Sequence, residues 1–281
     1  MKKIFLALAT ISVLLVGCKK NNESLNVVPS ELTERMVFTF KPYTMEPMRD
    51  DITSLINHLD VWIVEGENVY EYHQVKENNN SFCTLAVELN KTKTYTMYAI
   101  GHKANGAAAL EDGIITFPDN KITHSMFYKS TFTPGTTTSM TCEMQRIVGM
   151  FKFVITDAIP EEVDHIEFHI SESGTGLDVE TVEAVNFMER IAIPSSMNPG
   201  SNGYVTLNIY IMADDMDSTK ELDITVKAVT ANNTVVEQHD FTEVPIKNGW
   251  MTKYEGTFFV TTGMTMTFTV GGWEEFDPIN F

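Results

Sequence analysis

Period-two alternation governs most of this 281-residue chain. Met36, Phe38 and Phe40 share one face of an extended segment, and Leu59, Val61 and Ile63 share another. Such a pattern sets one face of an extended strand against a core and the other towards water. The same rhythm predicts strands at 69–75, 82–89, 94–100, 122–132, 136–144, 147–155 and 165–171. It continues at 204–213, 222–230, 235–241, 253–261 and 264–270. Turn residues punctuate the series, as in Glu65-Gly66-Glu67-Asn68. Heptads and long helical stripes do not compete, so the predicted class is all-β, built of sandwiches. Short helices are expected only at 51–57, where acidic residues occupy a first turn, and around 179–188.

A change of phase marks the expected domain boundary. Met140, Cys142 and Met144 lie on one face, whereas Ile147, Phe151, Phe153 and Ile155 have the opposite parity. A one-residue slip would turn a strand's apolar face to water, so two different strands meet near Gln145-Arg146. The length suits two domains of ordinary size. We therefore expect one β-sandwich over 31–145 and a second over 146–281.

The N-terminus carries Lys2 and Lys3, then an apolar run from Ile4 to Val16. A membrane-spanning helix needs about 20 apolar residues, so this run reads as a cleaved signal over 1–17. Leu15-Val16-Gly17-Cys18 closes it and resembles the bacterial lipobox. That motif implies acylation of Cys18 by palmitate-type chains and cleavage before it. Each buried methylene contributes about 0.8 kcal/mol to anchoring. An ordinary secretory signal with a chance cysteine is the alternative. Residues 18–30 then form a polar tether outside the cytoplasm.

Without residues 1–17, 18 Lys and Arg face 38 Asp and Glu, a net charge of −20. An acidic surface of this kind repels phosphate backbones, so nucleic acid is excluded as a partner. Cys83 and Cys142 are the other cysteines; an exported chain permits a disulfide between them. The alternation of Cys83 with Leu85, Val87 and Leu89 suits two separate buried thiols instead. Hydrolase, zincin, P-loop and Cys-x-x-Cys motifs are all missing, so no enzyme activity, cofactor or metal is expected. His165, Glu167 and His169 share a strand face and have zinc-ligand chemistry, but a solvated face explains them. Asp214, Asp215 and Asp217 lack the glycine and glutamate of an EF-hand loop. Gly174-Thr175-Gly176 has no strand-to-helix setting for phosphate. Trp62, Trp250 and Trp273 would suit sugar stacking if exposed and coplanar, and a core role otherwise.

Several stretches resemble Bacteroidales fimbrillin-like proteins. They are Asp50-Asp51-Ile52 with Leu59-Asp60-Val61-Trp62-Ile63-Val64, and His124-Ser125-Met126-Phe127-Tyr128 leading to Met144-Gln145-Arg146-Ile147-Val148-Gly149. Val244-Pro245-Ile246-Lys247-Asn248-Gly249-Trp250-Met251-Thr252-Lys253-Tyr254-Glu255-Gly256 and the closing Gly271 to Glu275 are also similar. The resemblance implies a lipoprotein precursor with two tandem Greek-key, transthyretin-like β-sandwiches. It also implies a fimbrial (type V pilus) subunit or cell-surface adhesin at the cell outer membrane. The implied partners are other fimbrial subunits, joined by strand exchange, and a host or bacterial surface ligand. In the family's stalk pilins an Arg-specific protease removes the N-terminal strand and a neighbour's C-terminal segment fills the groove. Of four arginines, Arg35 is expected to precede the first strand and Arg49 to follow it. Both also suit plain surface roles. Met264, Met266, Phe268 and Val270 form the candidate donor face, or else the last core strand. The alternative function is a glycan-binding surface lipoprotein for nutrient capture.

Overall fold

The computed structural model describes residues 32–43, 51–135, 137–194, 205–259 and 265–272. They are mostly strand, with several sheets and one short α-helix. The first half runs β1 (Thr33–Pro42), α1 (Ile52–Leu55), β2 (His58–Glu65), β3 (Asn68–Val75), β4 (Thr84–Asn90) and β5 (Tyr95–His102). It continues through β6 (Ala109–Glu111), β7 (Ile114–Thr116), β8 (Met126–Phe132) and β9 (Ser139–Arg146). The second half holds β10 (Gly149–Ile155), β11 (His165–Ser173), β12 (Gly176–Asp178), β13 (Glu183–Val185) and β14 (Met188–Ala192). β15 (Val205–Ile211), β16 (Thr219–Val229), β17 (Val235–Lys247), β18 (Trp250–Thr257) and β19 (Thr265–Gly272) complete it.

The alternation read from the sequence becomes burial. Met36, Phe38 and Phe40 of β1 are at most 2% exposed, while Arg35, Thr39 and Lys41 face water. β1 belongs to a seven-stranded sheet of order β3-β2-β5-β8-β9-β1-β4. β8 and β9 share only the pairs Met126–Arg146 and Phe127–Gln145. On the far side of this narrow join, the β1 side chains pack with Leu59, Val61, Ile63 and Met97 in one core. The expected turn after β2 pairs Glu65 with Asn68 around Gly66-Glu67. Gly66 takes φ +58°, which the first position of a primed hairpin turn requires. The first expected helix also forms, as α1; the Asp51 carboxylate accepts from the Thr53 N–H at 3.1 Å.

In the second half, sheets β15-β10-β18-β19 and β14-β11-β16-β17 contribute to a second core. Phe153 meets Phe168, Phe241 and Phe258 edge-on at 5.6–5.7 Å between centroids. Such pairs add about 0.5–1.5 kcal/mol beyond their area burial. A further sheet, β13-β12-β7-β6, draws strands from both halves, with Ile115 of β7 opposite Leu177 of β12. Beneath it lies a third core that includes Trp62, Phe117, Ile147, Val148, Leu177 and Met251. The change of phase falls at this junction. Cys142 and Met144 point into the first core, Ile147 and Val148 into the third, and Phe151 and Phe153 into the second.

The helix expected around 179–188 is not formed. The Asp178 carboxylate accepts from the N–H groups of Glu180 and Thr181, as a helix cap does, and Val182 N–H reaches the Asp178 carbonyl. Val182 then takes φ +60°, and the chain turns back into β13, so one helical turn is all that is built. The strand expected over 122–132 starts only at Met126. Ile122 instead enters the third core, and the preceding β6 and β7 are too short for alternation to register.

Candidate functional site

β1 is the N-terminal strand of the described residues and is bonded on both sides. It runs antiparallel to β4, with Phe38 opposite Leu85, and parallel to β9, with Phe38 opposite Met140. Its three buried apolar side chains occupy a slot between those strands. Burying each completely stabilises by about 1.5–3 kcal/mol. Arg35 does not precede this strand, contrary to expectation. It is the third residue of β1 and lies opposite Glu88, because pairing begins at Thr33 with Asn90. Cleavage there would split a paired strand rather than trim a tether. Arg49 and the acylation candidate Cys18 lie outside the described residues.

Cys83 and Cys142 are free and buried. Phe40 separates them, since its N–H donates to the Cys83 carbonyl at 2.9 Å and its register partner is Cys142. Two strand spacings total about 9.6 Å, beyond the roughly 7 Å between Cα atoms that a disulfide tolerates. Burial pushes both thiols up to about 12. In native protein at pH 8, neither thiol is expected to react with a disulfide reagent over minutes, and both should react in denaturant. Rapid native labelling would show that β1 does not cover them.

β19 is the last strand of the described residues and lies at a sheet edge, paired among them only with β18. Phe268 and Val270 are 54% and 38% exposed, and Met266 packs partly against the second core. Phe268 leans on Tyr254 at 5.4 Å. Met264 lies outside the described residues. Among the described residues β19 is an edge strand, with Phe268 and Val270 exposed and Met266 against the core. Gly256 of β18 permits the pairing, because a Cβ there would lie 1.8 Å from the Thr265 carbonyl oxygen. Gly256→Ala should detach β19 while both main cores persist. Hydrogen exchange would then lose protection over 265–272 and at the β18 amides that donate to β19; unchanged protection would contradict this close approach.

A buried polar cluster was not anticipated. Asp60 interrupts the apolar run of β2 and is fully buried. Its carboxylate meets His73 Nδ1 at 2.8 Å and His102 Nε2 at 2.9 Å, and accepts from the Ala108 N–H at 2.8 Å. Ala104 N–H donates to His102 Nδ1, which leaves Nε2 as the donor to Asp60. Burial pushes the Asp60 carboxyl up, but the bonds from His102, His73 and Ala108 outweigh it and hold the group below the ordinary carboxylate range. The cluster ties β2 to the loop that leads into β6.

The remaining candidates resolve into structural roles. His165 and His169 both bond Glu167, and no group of three or more His, Cys, Asp or Glu is placed to hold a metal among the described residues. The Asp215 carboxylate accepts from the Asp217 and Ser218 N–H groups, closing its own turn. The N–H groups of Gly174 and Thr175 are spent on Met212 and Val185 carbonyls, so no phosphate cradle is present there. Trp62 is buried in the third core, whereas Trp250 is exposed beneath Lys247, so these two build no shared platform. Trp273 lies outside the described residues. A cavity of about 700 Å³ opens beside β14 and β15, lined by Arg190, Tyr210 and Asn208 among others.

No family model and no curated protein matches the chain. Solved structures do. A candidate adhesin from Bacteroides thetaiotaomicron superposes with a TM-score of 0.54 at 10% identity, over 86% of this chain and 96% of that one. A candidate adhesin from Bacteroides ovatus gives 0.52 at 14% identity, over 86% and 95%. A candidate polysaccharide-binding protein from Bacteroides thetaiotaomicron gives 0.51 at 12% identity, over 85% and 96%. The chain shares their fold. At these identities the likeness speaks for architecture and leaves function to the residues.

Proposed function

We propose that this chain is a fimbrial subunit or fimbrillin-like surface adhesin, made as a lipoprotein precursor. Two β-sandwich domains, 31–145 and 146–281, join through the mixed sheet and the third core. Cys18 carries the lipid after removal of residues 1–17 and holds the chain at the cell outer membrane by the tether 18–30. Assembly proceeds by strand complementation between copies. The observation that carries this reading is β1. It is the first strand of the described residues and lies buried between β4 and β9, so its loss bares a row of unpaired donors and acceptors beside an apolar slot. Cleavage after Arg49 removes all of β1; Arg35 is unsuited because it lies within the pairing. β19, with Met266, Phe268 and Val270, supplies the complementary donor face, and Met264 extends it.

An uncleaved chain keeps its own strand in the slot and serves at the lipid-anchored base. A cleaved one polymerises. The described fold matches structures identified as candidate adhesins, which supports a binding role in place of catalysis. Sequencing the mature N-terminus from native envelopes tests the reading. A lipidated Cys18 indicates the basal form and Asp50 the polymerising form. A chain that retains Met1 and stays in the cytoplasm would refute both.

A further inference from the structure

We propose that the cavity beside β14 and β15 is a binding site for an acidic sugar, a pyranose bearing a carboxylate. Arg190 of β14 lines it, and Nη1 donates to the Tyr210 carbonyl at 2.9 Å. A guanidinium has five N–H donors, so most of them remain for a ligand. No carboxylate lies within ion-pair distance of Arg190 among the described residues, and burial pulls the group down to about 10. A desolvated cation of this kind is costly until an anion completes it. Lys103 and Lys121 add positive charge to the same lining, against Asp119 and Glu189. The site is therefore cationic within a chain of net charge −18.

The other walls suit a sugar more than a simple anion. Asn120, Thr206 and Asn208 offer amides and a hydroxyl for ring hydroxyl groups. Met188, Ile191 and Ile193 offer an apolar surface, each about half exposed at 48%, 54% and 55%. The volume falls in the range of roughly 300–1,000 Å³ typical of ligand sites. The site is formed by elements away from β1 and β19, so it stands whether or not the chain polymerises.

Calorimetric titration of the full mature chain with glucuronate, glucose, acetate and a tetraglutamate peptide tests the assignment. Charge-assisted hydrogen bonds to the guanidinium should make glucuronate bind at least about tenfold tighter than glucose. Arg190→Gln should erase that difference while the melting profile stays close to wild type. If Arg190→Gln does not fold, Lys103→Met, at the exposed rim, should still weaken glucuronate several-fold. Equal binding of glucose and glucuronate, or no binding of either, would overturn the proposal. So would acetate or tetraglutamate binding as tightly as glucuronate, or undiminished glucuronate binding by both variants.

Discussion

Asp60→Ala should lower the free energy of unfolding by about 3–5 kcal/mol, the cost of removing one partner from a buried charged network. The substitution strands the His102 and Ala108 donors in a dry interior and unties β2 from the loop before β6. Asp60→Asn keeps the volume but turns a donor towards donors, so it should recover only part of the loss. Urea titration reads both. The same cluster sets the acid response. The Asp60 carboxyl is held below its ordinary value of 3.8, so its contribution is complete above that pH and fades as pH falls through the lower folded value. His73 has the opposite sign. Its hydrogen bond to Asp60 raises it above 6.5, so its smaller contribution is present below that pH and fades as pH rises past the folded value. Its ring is 41% exposed, so solvent screens much of the interaction. The stability difference between wild type and Asp60→Asn should therefore persist at pH 5 and shrink as pH falls below 3.8; a difference unchanged at pH 2.5 would show that ionised Asp60 does not stabilise the fold.

Phe38→Ala should cost about 3–5 kcal/mol, as is usual when a buried aromatic is truncated and a cavity remains. The loss is expected to act locally first. Phe38 is fully buried at the centre of β1 and meets Phe132 edge-on at 5.2 Å. Loosening β1 uncovers the flanking thiols, so Cys83 and Cys142 should label in the variant well before global unfolding. An equally severe Phe153→Ala in the second core should destabilise without early labelling. Equal labelling in both variants would mean that β1 has no independent freedom to leave.

The strands were legible in the sequence because alternation is a local signal. β1, β4 and β11 each carry their buried apolar set at every second residue, and the phase change at Gln145-Arg146 marked the passage between cores. β6, β7, β12 and β13 span three residues apiece, too few for a period to emerge, so the mixed sheet was invisible. Asp178 and Glu180 carry a true helix-start signal that tertiary packing stops after one turn at Val182. The Asp60 cluster joins residues 13, 42 and 48 positions apart, and nothing local announces such a meeting. Likewise, Arg35 looked like a residue before a strand because its polarity suits a tether; its pairing with Glu88 depends on where β4 lies.

The most direct test removes β1. Purified mature chain is cut after Arg49 with an Arg-specific protease and run on detergent gels without heating. The account predicts a ladder of multimers that collapses to one band on boiling and still forms when Gly256→Ala has released β19 from β18, because a strand that fills the slot between β4 and β9 must first leave β18. A single monomer band, folded and stable without β1, would contradict it.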